Sequence, residues 1–170
     1  MTFDPVRHHR RSIRLPGFDY SAGGTFFITI CAEDRRCLFG AVIDGEMHLN
    51  DAGRVVDASW RALPSLHPSI STDVLQIMPN HLHGVLRLTA CDHLSLADVI
   101  RRLKTFTTTR YINGVRRHGW ARFRGRLWQR DYFEHVVRND RELESIRDYV
   151  AGNPSHWGTD PDNPAAARGG

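Results

Sequence analysis

Val74-Leu-Gln-Ile-Met-Pro-Asn-His-Leu-His-Gly-Val-Leu-Arg-Leu88 is the stretch whose reading decides the fold. Val74 to Met78 and Leu82 to Leu88 read as two β-strands, and Pro79-Asn80 bends or bulges the chain between them. Residues i and i+2 of a strand share a face, so His81 and His83 stand side by side while Leu82 points into a core. Gly84 leaves room for something to approach closely. Two strand histidines at this spacing also occur as plain surface residues, so the pair does not by itself define a metal site. Zinc usually takes three or four protein ligands, and no HxxxH or CxxC completes the set; Cys91 and His93 fall in an expected loop. A hard ion, Mg²⁺ or Mn²⁺, suits an incomplete protein cage better, because it can add oxygen from an amide and from a substrate phosphate.

Upstream, Thr25 to Cys31 (TFFITIC) is rich in β-branched and aromatic residues and follows Gly23-Gly24, which predicts a strand entered from a turn. Ala41 to Asn50 predicts a hairpin around Asp44-Gly45. Asp51 to Leu63 carries apolar residues at near-helical spacing and is expected to stop at Pro64. Downstream, Ser95 opens a helix from Leu96 to about Thr109, and Gly114 to Gly125 reads as an exposed basic loop. Tyr132 to Arg138 predicts another strand. The last helix starts at Asn139, with Glu142 three residues on, and ends near Asn153-Pro154. The expected fold is α+β: a ferredoxin-like antiparallel β-sheet with helices packed on one face. One domain covers residues 1–157, and residues 158–170 read as a disordered tail.

That final helix holds a second constellation. Tyr149 and Asn153 lie about 40° apart on one helical face, beside the stripe Leu143, Ile146 and Val150. If the stripe packs on the sheet, the phenol and the amide can hang over the histidine pair, with Asn153 as an oxygen ligand and Tyr149 as nucleophile. A phenol titrates near ~10, so it attacks phosphorus well only when the phosphate is polarised and its proton is taken. The plain alternative is a helix tyrosine that buries its ring and an asparagine that ends a helix.

Composition fits a folded domain: 170 residues, 41% apolar, 25% charged, net charge +4. Three cysteines with no CxxC argue against a secreted disulfide framework and fit a reducing cytoplasm; with no apolar run of membrane-spanning length, no membrane partner is expected. Between Asp98 and Arg130 ten basic residues face a single acidic one. Arg101, Arg102, Lys104, Arg110, Arg116, Arg117 and Arg130 are candidate DNA contacts, with Tyr111, Trp120, Phe123 and Trp128 interleaved as stacking surfaces or as core.

The runs MPNHLHGV, RLPGFDYSAGGTFFITIC, LWQRDYFEHVVRND and IRDYVAGNP together resemble the REP-associated tyrosine transposases, in the single-tyrosine branch of the HUH endonucleases. The resemblance covers about Arg11 to Trp157. It implies that His81, His83 and Asn153 bind a divalent ion, and that Tyr149 attacks DNA to leave a 5′-phosphotyrosine and a free 3′-OH. The implied partner is single-stranded DNA folded into imperfect palindromic hairpins, and the implied location is the cytoplasm, with the nucleoid. Monomer and homodimer remain open. Tyr132 is a rival nucleophile, disfavoured because Val136, four residues on, offers no ligand. Glu134 and His135 lie in a segment the family shares and are candidates to orient ligands or contact DNA. Two other readings stand beside this one: a DNA- or RNA-binding protein of the same fold without turnover, and a nuclease that hydrolyses with water.

Overall fold

A computed structural model describes residues 23–90 and 94–166. The stretch before Gly23, together with Cys91 and His93, lies outside them. The elements are β1 (Gly23–Cys31), β2 (Gly40–Ile43), β3 (Glu46–Leu49), α1 (Asp51–Arg61), α2 (Leu63–Leu66), β4 (Ile70–Ile77), β5 (His81–Thr89), α3 (Leu96–His118), β6 (Phe133–Val137) and α4 (Asp140–Gly152). The four long strands form one antiparallel sheet in the order β4-β5-β1-β6. Numbered among themselves, these strands run 2-3-1-4 across the sheet, which is the ferredoxin-like order. The hairpin β2–β3 stands apart, and its turn puts both Asp44 and Gly45 at positive φ, as a tight two-residue turn requires.

Strand alternation divides the core in two. Phe26, Ile28 and Ile30 of β1, with Leu82 and Leu86 of β5, pack against Val56 and Trp60 of α1 and Val99, Ile100 and Leu103 of α3. Phe27 and Val85 face the other way and pack against Leu143, Ile146 and Val150 of α4. The one-face arrangement expected from sequence therefore holds for the crossover helices α1 and α3 and not for α4. Nothing in the periodicity of α4 says which side of the sheet its stripe meets. Gly84 belongs to the α1 side: a Cβ there would lie 2.5 Å from the Trp60 ring, so the close approach it permits is that of an indole and not of a ligand.

α3 runs nine residues past its expected end at Thr109. Its buried stripe continues through Tyr111 and Gly114, and position 114 takes a glycine because the Trp120 ring covers it, where a Cβ would clash at 2.2 Å. Exposed Arg116 and Arg117 hide that stripe, and Gly119, at φ +68°, caps the helix. Pro64, expected to stop a helix, instead occupies the first turn of α2.

The tail expectation also fails for residues 158–166. After α4 a 3-10 turn spans Pro154–Thr159, and Asp162 is buried, its carboxylate paired with Arg35. Residues 167–170 lie outside the described set. Among the described residues, no helix is long and apolar enough to cross a membrane.

Candidate active site

The β4–β5 hairpin turns through Met78-Pro79-Asn80, closed by a hydrogen bond from Met78 N–H to the His81 carbonyl at 2.8 Å. This sets the start of β5 so that His81 and His83 both point to the α4 side, His83 opposite Thr29 and His81 opposite Cys31 on β1. Both rings are buried, with their Nε2 atoms 3.1 Å apart. Each outer nitrogen has a partner: His83 Nδ1 lies 2.7 Å from Thr29 Oγ1, and His81 Nδ1 lies 2.8 Å from Asn80 Oδ1. An amide oxygen can only accept, so a neutral His81 in this bond has its hydrogen on Nδ1 and its lone pair on Nε2. The Thr29 hydroxyl can donate or accept, so it serves either tautomer of His83.

α4 lies across this pair. Asn139 caps its first turn, and Glu142 accepts from His135 Nε2 (2.8 Å) and from the Arg138 N–H (2.7 Å), which ties that end to β6. Farther along, Arg147 grips Asp73 of β4 with two hydrogen bonds, 3.0 and 2.6 Å long, at the bulge between Thr72 and Leu75. The helix is thereby fixed at two points. The Tyr149 hydroxyl lies 3.5 Å from His83 Nε2, and its ring meets those of His83 and Phe27 edge-on. Burial, helped by the Asp160 carboxylate, pushes the phenol up to about 12; a hydrogen bond from the Asn153 side chain opposes the shift.

Asn153 is itself buried, and its Oδ1 has no hydrogen-bond partner. A buried acceptor left unpaired is costly unless a cation or donor fills the place. Two imidazoles and this oxygen suit a divalent ion whose remaining positions go to water or phosphate oxygens. No group of three or more His, Cys, Asp or Glu side chains placed to hold a metal ion occurs among the described residues, so His81 and His83 would need the Asn153 oxygen to complete a protein ligand set.

The other candidates separate from this centre. Tyr132 packs on the α3 side of the sheet, with the Lys104 ammonium 5.4 Å from its ring centre. Glu134 pairs with Ile28 and shares that side, so it cannot orient the histidines; His135 is on the α4 side but is engaged with Glu142. Lys104 donates to the carbonyls of Gln129, Arg130 and Asp131 at 2.9 to 3.2 Å, so its ammonium is engaged as an internal brace. Burial lowers its ammonium to about 8. Arg101, Arg102, Arg110, Arg116, Arg117 and Arg130 are exposed; Arg101 pairs with Asp98 and Arg110 covers the Phe106 ring. The five of these that lie on α3 stand across the sheet from the histidines. Tyr111 and Trp128 are core, their hydroxyl and indole bonded to Ala121 O and Thr107 Oγ1, while Trp120 and Phe123 pack at its edge. Sequence reasoning missed Thr29, Asn80 and Asp160, and also Trp157, whose ring centre lies 6.0 Å from that of His81. Of these only Asn80 had a local signal, its place beside His81.

The family model for IS200-like transposases matches residues 67–153, which hold all four residues of this centre. A Haemophilus influenzae protein whose name carries no function is 36% identical over 167 residues, covering 90% of this chain and 92% of its own. A second protein of that organism, named as a REP-associated tyrosine transposase, is 28% identical over 143 residues, covering 82% and 75%. Among solved structures, a REP-associated tyrosine transposase bound to a REP hairpin superposes with a TM-score of 0.60 at 20% identity, over 83% of this chain and 72% of that one. A transposase-like protein of Deinococcus radiodurans gives 0.50 at 16%, over 79% and 92%. The chain belongs to the IS200-like transposase family, and within it the likeness is to the REP-associated tyrosine transposases.

Proposed function

We propose that the protein cuts and rejoins single-stranded DNA at hairpin-forming sequences through a covalent tyrosine intermediate. The observation that carries this reading is the Tyr149 hydroxyl 3.5 Å from His83 Nε2, which itself faces His81 Nε2 at 3.1 Å, with the Asn153 side chain bonded to that hydroxyl and its oxygen left unpaired. His81, His83 and Asn153 would hold Mg²⁺ or Mn²⁺, which when bound supplies charge to polarise the scissile phosphate. The Tyr149 oxygen gives up its proton and attacks phosphorus; a Tyr O–P bond forms, the P–O3′ bond breaks, and the 3′ oxygen takes a proton to leave as a hydroxyl, so no net proton is gained or lost. The 5′-phosphotyrosine keeps the phosphodiester energy, so attack by a 3′-OH rejoins a strand without ATP. The relative bound to a REP hairpin supports hairpin DNA as the substrate class. The exposed arginines of α3 and Arg130 are proposed to contact phosphates.

The test is a denaturing gel of purified protein with Mn²⁺ and labelled single-stranded DNA carrying intergenic palindromes of its own genome. A covalent adduct in wild type and in Tyr132→Phe, absent from Tyr149→Phe, is the expected result. Cleavage with no adduct would identify a hydrolytic nuclease, and binding with neither would identify a non-catalytic DNA-binding protein.

A further inference from the structure

We propose that Asn80 is a positioning residue that fixes the tautomer of His81, and that the chain end around Asp162, with the turn at Arg35, holds Asn80 in place. Asn80 is 1% exposed, and its side chain makes three hydrogen bonds. Nδ2 donates to the Arg35 carbonyl at 2.9 Å and to the Asp162 carbonyl at 2.7 Å, while Oδ1 faces His81 Nδ1 at 2.8 Å. Two carbonyl acceptors on one end fix which end of the amide is nitrogen, so the orientation follows from the bonding. The oxygen then requires a hydrogen on His81 Nδ1, and the lone pair falls on Nε2, beside His83.

The holding side is built with equal care. Asp162 is buried and ion-paired with Arg35, and its own N–H donates to Asp160 Oδ1 at 2.7 Å. The backbone of the turn is anchored as well: Ala32 N–H donates to the Asn80 carbonyl, and the Leu38 and Phe39 N–H groups donate to the Pro79 carbonyl. One buried amide thus joins two segments far apart in sequence to the outer nitrogen of a histidine. Partners of this kind, which fix the tautomer and angle of a metal-binding imidazole, typically account for about 10- to 100-fold in affinity or activity. The inference rests on the proposed role of His81 as a ligand, but the tautomer can be read without metal.

Metal-free protein with ¹⁵N-labelled histidine, at a pH where the ring is neutral, reports the tautomer by long-range proton–nitrogen correlation. Wild type is expected to show His81 as the Nδ1–H form alone. Asn80→Ala is expected to release the ring to a mixture and to weaken Mn²⁺ binding in calorimetry by about 10-fold or more. Asn80→Asp keeps an oxygen towards Nδ1 but loses both Nδ2 donations, so it should show less of the Nδ1–H form than wild type and more than Asn80→Ala. Deleting residues 160–170 removes the Asp162 carbonyl without touching Asn80; it should shift the ring in the same direction by less, and it carries the test if Asn80→Ala does not fold. An unchanged Nδ1–H signal in Asn80→Ala, or in the truncation when that variant is unfolded, would overturn the proposal. Wild type that shows the Asn80-dependent tautomer yet binds no Mn²⁺ would support the positioning role and remove the metal reading, so the two failures are told apart.

Discussion

Tyr149 shows how far a side chain's surroundings set its chemistry. Burial first, and the Asp160 carboxylate second, push its phenol up to about 12, so without a cation beside it the hydroxyl stays protonated at neutral pH. A spectrophotometric titration of metal-free protein, taken as the difference from Tyr149→Phe, should centre near 12; a midpoint near ~10 would mean a solvated phenol. The sign for stability follows. Because the folded value is raised, the protein keeps this contribution below ~10 and loses it as pH climbs towards 12. Asn153→Ala should weaken Mn²⁺ binding by about 10-fold; the oxygen it removes strands no protein partner, and the bond lost from its amide nitrogen end to Tyr149 should raise that phenol further; unchanged affinity in calorimetry would remove Asn153 from the ligand set. At this scale the two histidines were legible because strand period fixes their shared face, and Tyr149 with Asn153 because helix period fixes theirs. Asp162 was not: it meets Asn80 across 82 positions, and no local pattern marks such a contact.

Elements place these residues, and α4 does so through two fastenings. The Arg147 guanidinium, bonded to Asp73 at two points, holds that carboxyl below the usual carboxylate range. A depressed value means that the stabilisation is present above ~4 and lost as pH falls through the folded value. Arg147→Ala should therefore cut the rate of adduct formation several-fold at neutral pH by loosening α4, and its stability deficit in urea titrations should shrink below pH ~4. α3 separates two kinds of basic residue that sequence could not tell apart. Lys104→Met should cost about 1–3 kcal/mol of unfolding free energy, because three carbonyls lose their donor, with no change in the salt dependence of DNA binding. Arg116→Ala should do the reverse and reduce the salt slope by about one. The long α3 itself was only half legible. Its charged outer face masks a buried stripe whose last member is a glycine, recognisable as helical only once Trp120 is seen to cover it.

For the molecule as a whole, the ferredoxin-like order could be read from the succession of strand and helix signals, because antiparallel hairpins and crossover helices leave few ways to connect them. The side on which α4 lands could not, since an amphipathic stripe fits either face of a sheet whose both faces carry apolar residues. That placement matters most for function: α4 covers the histidine face, while the arginines of α3 lie across the sheet. The ordered segment 153–163 then closes the histidine side, with the Trp157 ring 6.0 Å from that of His81. The most direct measurement is to digest the trapped protein–DNA adduct, formed with Mn²⁺ and a palindromic strand, and map the modified residue by mass spectrometry. A 5′-phosphotyrosine on Tyr149 is predicted; the nucleotide on Tyr132, on the far side of the sheet, or on no residue at all would contradict the arrangement described.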